Sequence, residues 1–254
     1  MNEFLNLPLK ASEHAIRIDN KIYMIHYLMF ALFLGWTIYF LYTLYKFRAK
    51  ANPKASYVGA KSHISTYLAI AVALFEGYFL ITSSIPLWSQ RVDDFPKENE
   101  ATVVRIIAQQ FQWNIHYPGL DGKFGKVDRT LITAENAIGI DRNDQDAKDD
   151  IVMINQLNLP VNKPVIIHLS SLDVIHSLGL PVMRVKQDAI PGQEIPVWFL
   201  PTVKNDESNP NYEIACAQLC GNSHYRMRGF MTIQSQEEFE NFIKTETEYL
   251  TTSY

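Results

Sequence analysis

Cys216-Ala-Gln-Leu-Cys220-Gly-Asn-Ser-His224-Tyr-Arg-Met227 contains both cysteines of this 254-residue chain. Three residues separate the cysteines, an imidazole follows four residues after the second, and a thioether three after that. Thiolate, imidazole and thioether together make a soft-to-borderline donor set that favours copper. A blue-copper site would use one cysteine, two histidines and a long methionine bond, so this stretch has a cysteine to spare. Two neighbouring thiolates could instead bridge two copper ions. Each ion would then need its own histidine, and a second one should lie elsewhere in the same domain. Two simpler readings stand beside this one: the cysteines could pair as a disulfide in an oxidising compartment, or contribute to a zinc site, although zinc does not seek methionine.

Upstream, Asp173-Val-Ile-His176-Ser follows a β-favouring run, Pro164 to Ser170, and precedes Lys186-Gln-Asp188-Ala-Ile-Pro-Gly192. A histidine at a strand end, well before a cysteine-rich loop, is how a cupredoxin barrel gathers ligands from separate loops. Of seven histidines, His176 best meets the demand for a second imidazole. The surrounding sequence supports such a scaffold. Short alternating or β-branched runs at 102–117, 151–157, 164–170, 195–200, 211–215 and 228–234, separated by Pro, Gly, Asn and Asp, predict a Greek-key sandwich or barrel. The stretch 141–150 holds five aspartates against one arginine and one lysine and predicts an exposed loop. Ser235-Gln-Glu-Glu238 is a capping box, and Phe239, Phe242 and Ile243 give the helix it opens an apolar face.

The N-terminal third is different in kind. Ile22 to Tyr45 carries no charge, is bracketed by Lys21 and Lys46, and exceeds the ~20 residues that cross a bilayer core. Ile64 to Trp88 is a second such stretch with one charge, Glu76. The connector between them has Lys46, Arg48, Lys50, Lys54 and Lys61 and no acid, so the positive-inside rule makes it cytoplasmic. Both termini and everything after the second span are then expected on the external side. Glu76 should face protein or a water-filled path, with a partner subunit as the favoured neighbour. The predicted organisation is residues 1–90 as an N-terminal segment plus a two-helix transmembrane hairpin (about 22–45 and 64–88), and residues 91–254 as an external all-β cupredoxin-like domain with a C-terminal helix. The first 90 residues carry eight basic and four acidic side chains, the remainder fifteen and twenty-three, so the external part is acidic. No nucleic-acid footprint, phosphate-binding glycine loop or Ser/His/Asp order stands out, and no Cys-x-x-Cys-His encodes an attached haem.

From hairpin to cysteine motif, the chain resembles subunit II of the haem–copper respiratory oxidases, the cytochrome c oxidase family. The resemblance implies that Cys216 and Cys220 bridge a binuclear copper centre (CuA), that His176 and His224 are its terminal imidazoles, and that Met227 and the Gln218 carbonyl are weak ligands. It implies Phe111, Trp113 and Asp173 as electron-entry and docking residues, and subunits I and III, a c-type cytochrome donor and membrane lipid as partners. The implied role is one-electron transfer from that donor to haem in subunit I, where oxygen is reduced to water and protons are pumped. A membrane-anchored, copper-free module with a Cys216–Cys220 disulfide is the competing expectation.

Two departures from the family pattern stand out. Gln218 occupies a position usually held by a glutamate that helps bind magnesium, so little or no magnesium is expected through this subunit. Gln110-Phe111-Gln112-Trp113 places Phe111 where the family commonly has its electron-entry tryptophan, and His116 at a position that is often acidic. A changed docking face is expected, with a donor cytochrome housed in a neighbouring quinol-oxidising complex.

Overall fold

The computed structural model describes residues 5–51, 54, 57, 58, 62–208 and 212–253. Lys61 of the basic connector and Asn211, where one strand was predicted to begin, lie outside the described residues, as do residues 1–4 and 254. The chain forms two compact units, one of Met1–Ile16 with Arg91–Tyr254 and the other of Arg17–Gln90.

In the second unit, α1 (Glu13–Lys46) begins well before the uncharged stretch, because Glu13 to Lys21 continues the helix in polar sequence. The following helix runs unbroken from Ile64 to Val92 as α2 (Ile64–Phe79), a π-helical turn (Leu80–Ser84) and α3 (Ile85–Val92). Both helices are long and apolar enough to cross a membrane. Their large side chains, among them Phe33, Trp36, Leu41, Leu74 and Tyr78, are more than half exposed, as lipid-facing residues of a hairpin would be. Glu76 is exposed as well, uncovered by α1.

The other unit is a β sandwich with two five-stranded sheets. One has the order β3-β2-β1-β5-β8, the other β4-β10-β9-β6-β7. The strands are β1 (Thr102–Gln109), β2 (Gln112–Tyr117), β3 (Ile151–Ile154), β4 (Gln156–Pro160), β5 (Val165–Ser171), β6 (His176–Leu180), β7 (Val185–Ala189), β8 (Ile195–Phe199), β9 (Tyr212–Cys216) and β10 (Arg228–Gln234). Pairs β1/β5 and β10/β4 are parallel and the rest antiparallel, the mixed crossover pattern of a cupredoxin-like Greek key. Val104, Ile106 and Ala108 on β1 alternate inward and meet Leu157, Leu159, Ile214 and Met231 in one core. Each large aliphatic side chain buried there contributes about 1.5–3 kcal/mol of transfer free energy.

In the β unit, two predicted runs are each split into two strands and two further strands were not predicted. The run 102–117 is two strands joined at Gln110-Phe111, a junction without a Gly, Pro, Asn or Asp signal, and it contains a cis peptide bond between those residues. The run 151–157 splits at Asn155, which takes a left-handed conformation (φ 59°). Strand β6 is buried at every position and so lacks alternation, and the Lys-Gln-Asp centre of β7 is polar; neither was predicted. The terminal helix, α4 (Gln236–Ser253), is capped as expected: Ser235 Oγ accepts from Glu238 N–H (3.2 Å) and Glu238 Oε2 accepts from Ser235 N–H (2.7 Å).

Residues 8–13 belong to the β unit. Ala11 N–H donates to Val182 O (2.9 Å), Thr202 N–H to Ala11 O (2.8 Å) and Glu13 N–H to Leu200 O (3.0 Å). The excursion between β2 and β3 is anchored at its C-terminal end. Asp149 Oδ2 accepts from Leu120 and Asp121 N–H, and Asp150 Oδ2 accepts from Gly125 N–H and from His116 Nε2 (2.7 Å). His116, expected on the docking face, is therefore a fully buried residue of β2 that ties this excursion to the sheet.

Candidate metal centre

The sandwich delivers its sulfur and nitrogen donors from neighbouring strands of one sheet. His176 opens β6, Cys216 closes β9, and β6 pairs with β9 through Leu178 and Cys216. Met227 immediately precedes β10, and Cys216 N–H donates to Met227 O (3.2 Å), so the two ends of the cysteine loop are closed on each other. Ala217 N–H donates to Ser177 O (2.9 Å), binding that loop to β6. Within the loop, a 3-10 turn at His224–Arg226 turns the imidazole back toward Cys220.

The two sulfurs lie 3.8 Å apart, well beyond the ~2.05 Å of a disulfide, and both thiols are free. Cys216 Sγ is 3.9 Å from His176 Nδ1, and Cys220 Sγ is 3.7 Å from His224 Nδ1. Met227 Sδ lies 3.8 Å from Cys220 Sγ on one side, and the Gln218 carbonyl oxygen 3.2 Å from Cys216 Sγ on the other. His176, Cys216 and Cys220 form a tight group with all donor atoms within 4.8 Å. Each sulfur thus has its own imidazole and its own weaker donor. His176, Cys220 and Met227 are buried, Cys216 and His224 half-buried. Two cysteine sulfurs, two imidazoles, a thioether and a carbonyl converging on a half-buried site fit soft metal ions, and copper in particular.

The groups behind the donors fix their orientation. His176 Nε2 donates to Asp173 Oδ1 (2.9 Å), which leaves Nδ1 facing Cys216. Asp173 is itself held by Gln110 N–H (2.7 Å, to Oδ2) and Val174 N–H (2.7 Å, to Oδ1). Gln110 Nε2 also donates to Cys220 O (2.6 Å), so one residue at the β1–β2 junction supports both halves of the site. Gly221 has φ 137°, and a Cβ there would lie 2.8 Å from Gln110 Nε2 and 3.1 Å from Phe111 Cζ; the loop can close onto this junction only with glycine.

The same geometry separates the two thiols. Burial alone would raise Cys216, but hydrogen bonds from His176, from the Ser177 and Gln218 backbone and from His224 outweigh it and hold this thiol below its ordinary value. Cys220 is pushed up by burial and by the adjacent Cys216. Burial would lower His176, yet its contacts with Cys216 and Asp173 raise it.

Of the residues expected at the electron-entry face, Phe111 is half-buried against Gly221, and Asp173 is exposed beside His176. Trp113 has no exposed surface: it lies in the core, edge-on to the His176 ring at 6.3 Å, and supports the site from behind. The surface around the cysteine loop is mixed: Leu219 and Tyr225 are about four-fifths exposed, with Val174 and Ile175 beside Asp173, and Gln218, Asn222, Arg226 and Arg228 are exposed among them. Sequence reasoning did not single out Gln110 or Gly221; the carboxylate three residues before His176 was the available signal for Asp173's supporting role.

A family profile described as cytochrome c oxidase subunit II, periplasmic domain, matches residues 102–235. The chain is 29% identical over 228 residues to the alternative cytochrome c oxidase subunit 2 of Bradyrhizobium diazoefficiens, covering 89% of this chain and 79% of that protein. It is 27% identical over 229 residues to the cytochrome c oxidase subunit 2 of Cereibacter sphaeroides, covering 82% and 69%. Among solved structures, the periplasmic domain of subunit II of cytochrome oxidase from Bradyrhizobium japonicum aligns with a TM-score of 0.44 at 25% identity, over 61% of this chain and 98% of that one.

Proposed function

This chain belongs to the cytochrome c oxidase subunit II family, and on that premise we propose that it is the electron-entry subunit of a haem–copper terminal oxidase, holding a binuclear copper centre between its β6 strand and its cysteine loop. The observation that carries this reading is the pairing of each cysteine sulfur with its own imidazole, at 3.9 and 3.7 Å, across a 3.8 Å sulfur–sulfur gap. What such a centre supplies when bound is one-electron exchange between a c-type cytochrome donor and the haem of subunit I, where oxygen is reduced to water and protons are pumped.

The chain's own residues do the holding. Cys216 and Cys220 would bridge, His176 and His224 would each complete one metal, and Met227 and the Gln218 carbonyl would be the weak ligands. Asp173 fixes the tautomer and ring angle of His176, and Gln110 ties Asp173 to the Cys220 backbone. Ligands anchored this way have little freedom to rearrange, which suits transfer at small driving force. Leu219, Tyr225, Val174 and Ile175, with Arg226 and Arg228 exposed beside them, give the surface an apolar and basic character in which Asp173 is the acid at the site. That supports a donor other than a strongly basic, freely diffusing cytochrome c, such as a cytochrome domain of a neighbouring quinol-oxidising complex.

The hairpin anchors the domain in an energy-transducing membrane, with both termini on the external side; the bonding of residues 11–13 to the β unit supports a shared side for the N-terminus and the metal domain. Exposed Glu76 is a contact for a neighbouring oxidase subunit. Gln218 carries an amide where a carboxylate would serve a hard cation, so this subunit contributes little or no magnesium binding.

The deciding experiment is metal analysis of the purified full chain together with electron paramagnetic resonance. Two coppers per chain with one unpaired electron shared between them are expected, and Cys216→Ser should abolish the shared signal. A single copper, or none with an oxidised Cys216–Cys220 pair, would rule the reading out. Oxidase rates across ionic strength test the donor: fast, steeply salt-dependent turnover on free cytochrome c alone would refute the docking proposal.

A further inference from the structure

Near the Arg17 end of α1, α1 and the helix running from Ile64 to Val92 form an open cleft of about 280 Å³. It is lined by Arg17, Asn20 and Lys21 from α1, by Thr82 and Ser83 from the π-helical turn, and by Gln90 from α3, with Met24, Pro86 and Leu87 as apolar wall. A π-turn adds a residue to one turn of helix and breaks regular packing against a neighbour, and such turns recur at functional sites. The cavity opens where this irregularity faces α1.

Its electrostatics are one-sided: two basic side chains line it and no acid does. Arg17 Nη1 donates to Gln90 Oε1 (2.5 Å), holding the guanidinium at the rim. Lys21 is 91% buried, and its Nζ lies 3.3 Å from the Phe79 ring centroid without a hydrogen-bond acceptor among the described residues. A cation–π contact satisfies only one face of an ammonium and leaves N–H donors without acceptors, which is costly for a buried charge. Lys21 therefore lacks an anionic oxygen acceptor among the described residues.

Position in the sequence identifies the source of that acceptor. Lys21 is the residue immediately before the uncharged stretch 22–45, so it sits at headgroup depth, with hydrocarbon-facing residues beginning one position later. We propose that this cavity binds the phosphodiester of an anionic phospholipid, with Lys21 and Arg17 on the phosphate oxygens, the hydroxyls of Thr82 and Ser83 beside the headgroup, and the acyl chains running outside along the apolar helix surface from Met24 and Leu87.

Native mass spectrometry of the purified oxidase complex, exchanged from phosphatidylglycerol/detergent and from phosphatidylcholine/detergent mixtures, tests the assignment. One phosphatidylglycerol should remain on this subunit, phosphatidylcholine should not, and millimolar inorganic phosphate should fail to displace the lipid. The double variant Arg17→Gln/Lys21→Met should retain phosphatidylglycerol more weakly by roughly one to two orders of magnitude, and Lys21→Arg should restore retention, which separates lost charge from lost folding. Equal retention by wild type and the double variant would overturn the proposal. So would displacement by phosphate alone, which would make the site one for the free anion, or a structure of the complex in which a neighbouring subunit's acidic side chain sits on Lys21.

Discussion

Asp173 Oδ1 accepts a hydrogen bond from His176 Nε2 at 2.9 Å, and that one bond decides which nitrogen of His176 faces the cysteine sulfurs. A carboxylate behind a metal-binding imidazole fixes its tautomer and raises its basicity, and losing such a partner typically costs 10–100-fold in metal affinity. Asp173→Asn keeps the shape and removes the charge, and its single oxygen can accept from His176 and Val174 or from Gln110 but not from both sides. Copper affinity of the full chain, measured by competition with a chelator, should fall by roughly tenfold or more, while the thermal midpoint of the metal-free protein changes little. An unchanged affinity would mean that the His176 ring is oriented by packing against Trp113 alone.

Gln218 faces the site with its backbone and not with its side chain. Its carbonyl oxygen lies 3.2 Å from Cys216 Sγ, and the residue is otherwise exposed. Gln218→Ala should therefore leave copper stoichiometry and the absorption spectrum of the loaded protein as in wild type. Gln218→Glu tests the other half: in the assembled oxidase it should raise the retention of magnesium or manganese through dialysis, because a carboxylate is a better ligand for a hard cation than an amide. A spectrum altered by Gln218→Ala would show that the amide itself reaches the metal.

The candidate donor cluster was legible in the sequence because four of its side-chain donors fall within twelve residues, and the two long apolar helices because an uncharged run needs no tertiary context. What could not be read depends on strand register. Gln110 meets Cys220 across 110 positions only because β1 and β2 turn at Gln110-Phe111 and β5 delivers Asp173 to the same place. Trp113 looks like a docking aromatic in a list of motifs, but the register Ala108↔Trp113 turns it into the core. His176-Ser-Leu-Gly-Leu180 carries no alternation because both of its faces are buried, so periodicity had no signal to offer for β6.

His116 and Asp150 form a fully buried pair, 2.7 Å apart, that fastens the excursion between β2 and β3 to the sheet. Removing one partner leaves the other polar group buried without its bond, which costs about 3–5 kcal/mol when a buried ionic partner is stranded. His116→Leu should lower the stability of the β unit by roughly 3 kcal/mol in urea unfolding of the full chain. Proteolysis should move to the segment 118–150, and copper loading should survive below the new midpoint. The double variant His116→Leu/Asp150→Leu removes the stranded carboxylate but leaves Gly125 N–H without its acceptor, so it should regain only part of the loss. A loss as large in the double variant as in the single one would point to the Gly125 bond or to packing around Phe124, whose ring meets His116 edge-on at 4.9 Å, and not to the stranded charge.

Glu238 links the last strand to the C-terminal helix and makes stability sensitive to acid. Lys204 Nζ lies 2.7 Å from its carboxylate, and Ser235 donates from both its backbone N–H and its hydroxyl, so the carboxyl is held down to about 2 from an ordinary 4.5. The folded value is depressed, so this group's stabilisation is fully present above 4.5 and is lost as pH falls through about 2. Glu238→Gln retains a capping-box residue and discards the charge. Its thermal midpoint should lie below wild type at neutral pH, and the gap should close progressively between pH 4.5 and 2. Added salt should narrow the gap only in part, because it screens the exposed Lys204 pair far more than the short bonds from Ser235. A gap that stays constant across the acid range would assign the effect to the shape of the cap and remove Glu238 from the charge balance of the fold.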